Sequence, residues 1–324
     1  MPDQGQAIGQ HSSCRSDNNE VNACFLVHQS KNQKNCREAV MFARLSVTML
    51  CVFCFHAVSE ARTVGLCRFD TAGLTFRGDA AEQAKCLLRF VKPKASGSVE
   101  QPVPPAISTR IGAPIAITPD KLKACLSARG IAPLDVGGPI DSSDVTRKQR
   151  YFVIHDTSSP EINAPATFPD NINDASYAGN RIDRGWGSMQ GRVNVLVSRT
   201  GQSRTMTDFG VRRTRPAVKL EMTSQVSAAR PLFVHVENIQ PRIKPAGSWA
   251  HKAPDPGFSH AQLQRLSVIY VVASVRAGRW LIPAFHFNVD SDLYAGVDVH
   301  DDPQAFDLAA WGDAVGAFAE SCEQ

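Results

Sequence analysis

Ile282-Pro-Ala-Phe-His286-Phe-Asn-Val-Asp-Ser-Asp-Leu-Tyr-Ala-Gly-Val-Asp-Val-His300-Asp-Asp302-Pro303-Gln-Ala-Phe306-Asp-Leu-Ala-Ala-Trp311 sets two histidines and several aspartates in one segment with no Lys or Arg to neutralise them. Buried imidazoles and carboxylates must be paired or ligated, and both are ordinary zinc ligands. His286 and Asp302 therefore read as two legs of a zinc site, with the third leg far upstream. Each has a structural reading as well. The aromatic neighbours of His286 could simply bury a satisfied histidine. Asp302 is a good N-cap, and Pro303 suits the first helical position after it. Capping and ligation are compatible, because one carboxylate oxygen can do each.

Upstream, Tyr151-Phe-Val-Ile-His155 is a short apolar run ending in His, as expected of a buried strand that reaches a rim. Alone, such a histidine is most often structural; beside the C-terminal stretch it becomes the third ligand. Leu232-Phe-Val-His-Val-Glu237 reads as another strand. Period two puts Phe233, His235 and Glu237 on one face. A carboxylate on an otherwise apolar strand is costly unless it works or pairs. Glu237 is thus the natural general base for a metal-bound water, against a salt bridge to Arg242 or Arg230 as the plain alternative. Arg192 to Ser198 alternates strictly and reads as a strand entering a turn. Ser259 to Ala277 is long enough for a helix with Ser259 as N-cap and Gly278 beyond its end, although its Val/Ile content leaves strand as a competitor. Residues 304–320 read as a final helix. The pattern predicts a single α/β domain over 151–324, a mixed central β-sheet flanked by helices.

The rest of the 324 residues read as flanking parts. Residues 62–150 form an N-terminal accessory region with no catalytic grouping. It holds a helix over Ala80 to Val91, a Pro/Ser/Gly-rich linker over Lys92 to Pro105, and a helix capped by Thr118 that runs to about Ala128. Residues 1–61 read as an upstream extension followed by a signal peptide. Arg44 precedes an apolar run from Leu45 to Phe55, and small residues stand three and one before a break after Ala61; Met41 is the expected start. The exported chain would keep Cys67, Cys86, Cys125 and Cys322, enough for up to two disulfides, with Cys67 and Cys86 the natural local pair. The net charge of +4 is mild, and no Lys/Arg run tracks a phosphate backbone, so no nucleic-acid partner is expected. A monomer without stable membrane insertion is expected.

In order along the chain these pieces resemble the type-2 N-acetylmuramoyl-L-alanine amidases, whose zinc fold is shared with phage lysozyme-type amidases and animal peptidoglycan-recognition proteins. The resemblance spans about residues 150–315. It comprises Val153-Ile154-His155, Val234-His-Val-Glu237, Phe258-Ser-His-Ala-Gln262, His286, His300-Asp-Asp302-Pro303 and Phe306-Asp307. It implies Zn2+ on His155, His286 and Asp302, Glu237 as general base, and peptidoglycan or muropeptides as partner. The bond cut would be the amide between N-acetylmuramic acid and L-alanine, in a periplasmic or secreted setting. His300 stands where the bacterial amidases commonly carry Lys, and is expected to stabilise the oxyanion. The interval from His286 to Asp302 is longer than usual and implies an inserted loop over Asp290–Val299. Asn180, Arg181 and Trp186 are placed in a loop that could line the cleft. A non-catalytic peptidoglycan-binding module and a toxin or lysin are the competing readings; a zinc peptidase is disfavoured by the lack of an HExxH helix.

Overall fold

The computed structural model describes residues 62–324, apart from 94–95, 164–166, 223–226, 246–250 and 294–299. The leader and signal-peptide reading of 1–61 lies outside the described residues. The N-terminal region opens with three short strands, β1 (Thr63–Val64), β2 (Phe69–Asp70) and β3 (Thr75–Phe76), in one antiparallel sheet. Helix α1 (Ala80–Leu87) follows. The Asp79 side chain caps Glu82 N–H and the Glu82 side chain returns to Asp79 N–H, a reciprocal capping box. The expected continuation of this helix to Val91 does not occur. Phe90–Val91 is strand β4, paired with β5 (Ser98–Val99) inside the stretch expected to be linker. An aromatic and a β-branched residue with a partner strand close by favour the extended form.

Next come α2 (Pro105–Ser108), α3 (Pro119–Ala128) and α4 (Asp144–Lys148). Thr118 caps α3 and Pro119 starts it, as the sequence predicts. Cys67 bonds Cys86, and Cys125 on α3 bonds Cys322.

The main sheet gathers β6 (Tyr151–Asp156), β8 (Val195–Val197), β9 (Ser203–Thr205), β10 (Phe233–Asn238) and β12 (Ile282–Phe285), with β7 (Glu161–Asn163) and β11 (Arg242–Lys244) pairing apart from it. Its order is β12-β6-β10-β8-β9; all neighbours are parallel except the edge pair β8–β9. Every residue of β6 and β10 is buried, as befits central parallel strands covered on both faces.

One face carries Phe152, and α5 (His260–Ala277) lies against it, with Phe152 edge-on to Tyr270 at 5.2 Å. The strand alternative for this segment loses to its ends: Ser259 and Gln262 form a capping box, and Gly278 closes it at φ 73°. Its apolar residues run all round because the sheet lies on one side and α7 (Leu308–Glu323) on the other, where Tyr270 meets Trp311 at 5.2 Å. The sixth helix, α6 (His286–Asp290), is a short one directly after β12.

The opposite face of the sheet carries Tyr151 and Phe233, stacked at 5.1 Å, then His155, His235 and Glu237 further along the same strands. Phe69 and Phe76 of the N-terminal region close over the aromatic end, Phe76 edge-on to Tyr151 at 5.1 Å. Residues 62–150 thus share one apolar core with 151–324: their first strands close the aromatic end of the histidine-bearing face, while α2, α3 and α4 lie against α5 and α7. The expected architecture is present: a mixed central sheet with helices around it.

Candidate metal centre

Parallel pairing places the site. Glu237 stands opposite His155, and Phe285 opposite Ile154, so the chain leaves the sheet at His286 right beside His155. His286 does not sit in a strand; it is the first residue of α6. Asp302 arrives from a later loop. Its expected capping role is not taken: Asp302-Pro303 starts no helix, and α7 is capped by Asp307, which accepts from Ala310 N–H. Asp302 is instead free to face the histidines.

His155, His286 and Asp302 offer ligand atoms that all lie within 4.8 Å of one another. The separations are 3.1 Å between the two Nδ1 atoms, 3.0 Å from His286 Nδ1 to Asp302 Oδ2, and 3.6 Å from His155 Nδ1 to the same oxygen. Donors ~2.0–2.1 Å from a tetrahedral ion stand about 3.3 Å apart, so the spacing fits one ion shared by all three.

Charge supports the same fit. Asp156, Glu221, Glu237, Asp290 and Asp302 are buried around the histidines, against the guanidiniums of Arg213 and Arg242. A proton on a histidine or a cation between the donors answers the deficit. Burial opposes charge on His286, yet Asp302 and Asp290 outweigh it and raise its pKa well above the imidazole range. Burial, with His286 and His235 alongside, holds His155 well below that range. Asp302 is lowered despite burial, because His286 sits beside it.

The ring nitrogens facing away from the cluster are also engaged. His286 Nε2 lies 2.9 Å from Asp290 Oδ2, and Asp290 accepts from Lys219 N–H and Leu220 N–H. His155 Nε2 lies 2.8 Å from His235 Nδ1. His235 Nε2 lies 3.3 Å from Glu221, which Arg213 grips with both terminal nitrogens. His235, on the strand face it shares with Glu237, thus touches the cluster through His155.

Asp302 is held from behind by Asp156. The Asp156 N–H donates to Asp302 Oδ2 at 3.3 Å, and its carboxylate takes Gln304 N–H at 2.9 Å and Arg242 Nη2 at 2.6 and 2.8 Å.

Glu237 is buried and has no ion-pair partner among the described residues. The two arginines that could have neutralised it are used elsewhere, Arg242 on Asp156 and Asp301, Arg230 on the Thr214 carbonyl. Burial and the nearby Asp302 push its carboxyl up to about 8, with His286 pulling the other way. His300 is exposed and stacks over His286 at 5.2 Å, interplanar angle 24°.

The loop residues are otherwise employed. Asn180 is buried and donates to the Ile172 and Asp174 carbonyls, Arg181 pairs with Asp183, and Trp186 Nε1 donates to the Arg181 carbonyl. Asp290, expected to open an inserted loop, belongs to α6 and backs His286; residues 294–299 of that loop lie outside the described residues. The sequence reading missed Glu221, Arg213, Asp156 and Arg242. Asp290 was findable, since it follows His286 by one helical turn, and Asp156 adjoins His155. Glu221 carries no local signal.

A cavity of about 760 Å3 lies elsewhere, between α5 and α7 and bordered by Arg129, Arg265 and Phe318; no member of the histidine cluster lines it. Among the described residues no helix is long and apolar enough to cross a membrane, and the two disulfides fit an oxidising compartment. No protein-family model, curated protein or solved structure matches the chain, so the centre stands on its own geometry.

Proposed function

We propose that this chain is an exported zinc hydrolase that cleaves the amide between N-acetylmuramic acid and L-alanine in peptidoglycan. The observation that carries the reading is the juxtaposition of three donors at ion-sharing distances with an unpaired buried carboxylate, Glu237, on the neighbouring strand. His155, His286 and Asp302 would hold the ion, three protein ligands being the usual number where one position is kept for water or substrate. When bound, zinc supplies Lewis acidity, both acidifying a water and polarising a carbonyl.

The chain's own groups do the rest. Glu237 is in no ion pair among the described residues and is poised to take a proton from the attacking water and return it to the leaving amine. Its raised pKa, drawn down by a cation nearby, suits a group that must both accept and release a proton near neutrality. His300, exposed and stacked over His286, can donate a hydrogen bond to the developing oxyanion, an effect worth a few kcal/mol in such sites.

The test is mass spectrometry of purified muropeptides incubated with the zinc-loaded full chain and with Glu237→Gln. Free stem peptide and intact sugar from the wild type, absent with the variant, is the expected result. A folded, zinc-bound wild type that leaves every muropeptide intact overturns the amidase reading and favours a binding module.

A further inference from the structure

We infer that Glu221, two hydrogen bonds from the ion-facing atom of His155, selects the ring tautomer in which His155 can act as a ligand. The inference rests on the metal-centre reading and extends it to residues outside the donor set.

The argument is a count of protons. His155 Nε2 and His235 Nδ1 are 2.8 Å apart, so one carries the hydrogen and the other accepts it. In the forward arrangement His155 Nε2–H donates to His235 Nδ1. His235 then keeps its hydrogen on Nε2 and donates it to the Glu221 carboxylate at 3.3 Å. His155 Nδ1 is left bare, facing His286 and Asp302.

In the reverse arrangement His235 Nδ1–H donates to His155 Nε2. The His155 hydrogen then sits on Nδ1 and blocks the lone pair that a metal needs. His235 Nε2 is bare and meets a bare carboxylate, acceptor against acceptor, at a place where both side chains have no exposure. Glu221 cannot relieve this by donating. Arg213 binds both of its oxygens, and Ala217 N–H adds a third bond at 2.8 Å, all of which favour the ionised, acceptor-only form. A doubly protonated His235 would set a second buried cation beside Arg213. Only the forward relay leaves no acceptor facing an acceptor between His155, His235 and Glu221.

His286 is fixed by the same logic one step shorter. Asp290 accepts from Lys219 N–H and Leu220 N–H and also faces His286 Nε2. Nε2 therefore keeps its hydrogen, and Nδ1 is the nitrogen that points at the cluster. The turn Lys219–Glu221 therefore anchors both ligands from behind: two backbone N–H groups hold Asp290, and the next side chain holds His235. Hydrogen bonds of this kind typically govern 10–100-fold of metal affinity.

The test uses the full chain and two readouts. Long-range 1H–15N correlation spectra give the His155 tautomer in chelator-treated protein. Competition with a chromophoric chelator gives the zinc affinity. In the wild type His155 should carry its hydrogen on Nε2. In Glu221→Gln the side-chain amide can donate to His235, so the relay can reverse; the hydrogen should move to Nδ1 and zinc affinity should fall about 10–100-fold. Glu221→Asp keeps an acceptor-only group and should retain the wild-type tautomer. Arg213→Gln with Glu221→Gln removes the buried charges together and stands in if the single variant does not fold. A wild-type His155 protonated on Nδ1, or a folded Glu221→Gln with wild-type tautomer and affinity, overturns the inference. A wild type with the expected tautomer but no zinc binding would sink the metal-centre reading and leave the tautomer claim standing.

Discussion

Glu237 and His155 stand side by side in the parallel pairing of the two central strands, the first in no ion pair among the described residues and the second turned toward His286 and Asp302. Such a carboxylate is a cost to the fold. Its folded value of about 8, against an ordinary ~4.3, means the folded state holds the proton more tightly than the unfolded chain. The cost is absent below about pH 4 and grows as pH rises toward 8. Glu237→Gln should therefore raise the melting temperature of chelator-treated protein at pH 8 by several degrees, and much less at pH 5. Melting curves at both pH values decide it; a variant no more stable than wild type at pH 8 contradicts the assignment.

Asp302 depends on a buried ion pair that it does not itself join. Asp156 grips Arg242 and, through Gln304 N–H, the loop that delivers Asp302. Removing one partner of a buried pair typically costs about 3–5 kcal/mol, because the other charge is stranded. Asp156→Ala should lose stability of that order in urea denaturation, and Asp156→Ala with Arg242→Met should lose less than the two single changes summed. Additive losses would mean that the pair is not coupled.

The parts of this fold that were legible from sequence are those written in local chemistry. Period two on Phe233, His235 and Glu237 placed all three on one face, and the Ser259 cap and Gly278 stop bounded α5 despite its β-branched residues. The cluster of His155, His286 and Asp302 was legible because carboxylates and imidazoles crowd the C-terminal stretch without Lys or Arg. Asp302-Pro303 was ambiguous for a physical reason: the same dipeptide serves a helix start and a loop, and only Asp307 capping α7 decides between them. Glu221 was invisible, since its role comes from a contact with His235 across 14 residues and no periodicity links them. Phe90–Val91 fits the helical spacing of α1 but extends instead, because its partner strand Ser98–Val99 lies outside that local pattern.

The two disulfides close very different loops, 19 residues for Cys67–Cys86 and 197 for Cys125–Cys322. Restricting the unfolded chain should contribute about 3 and about 5 kcal/mol respectively. The longer bridge also ties α7, whose Trp311 packs on Tyr270, back to α3. Cys125→Ser with Cys322→Ser should lower the melting temperature more than Cys67→Ser with Cys86→Ser. Equal losses, or the reverse order, would show that native-state packing near Cys67 outweighs loop length.

Glu221 should also set part of the acid limit of the fold. Burial alone would raise its pKa, but His235 and Arg213 outweigh burial and hold the carboxyl below its ordinary range. The folded state therefore binds this proton less readily than the unfolded chain. Its contribution is complete above the ordinary value of ~4.3 and is lost as pH falls through the lower folded value. The loss should be on the order of 2 kcal/mol. Urea denaturation of chelator-treated protein at pH 7, 5 and 3 measures it, with Arg213→Gln and Glu221→Gln together as the reference. The wild type should hold its advantage over the double variant between pH 7 and 5 and give it up toward pH 3. Parallel curves across the whole range would place the acid sensitivity in other carboxylates and remove Glu221 from the account.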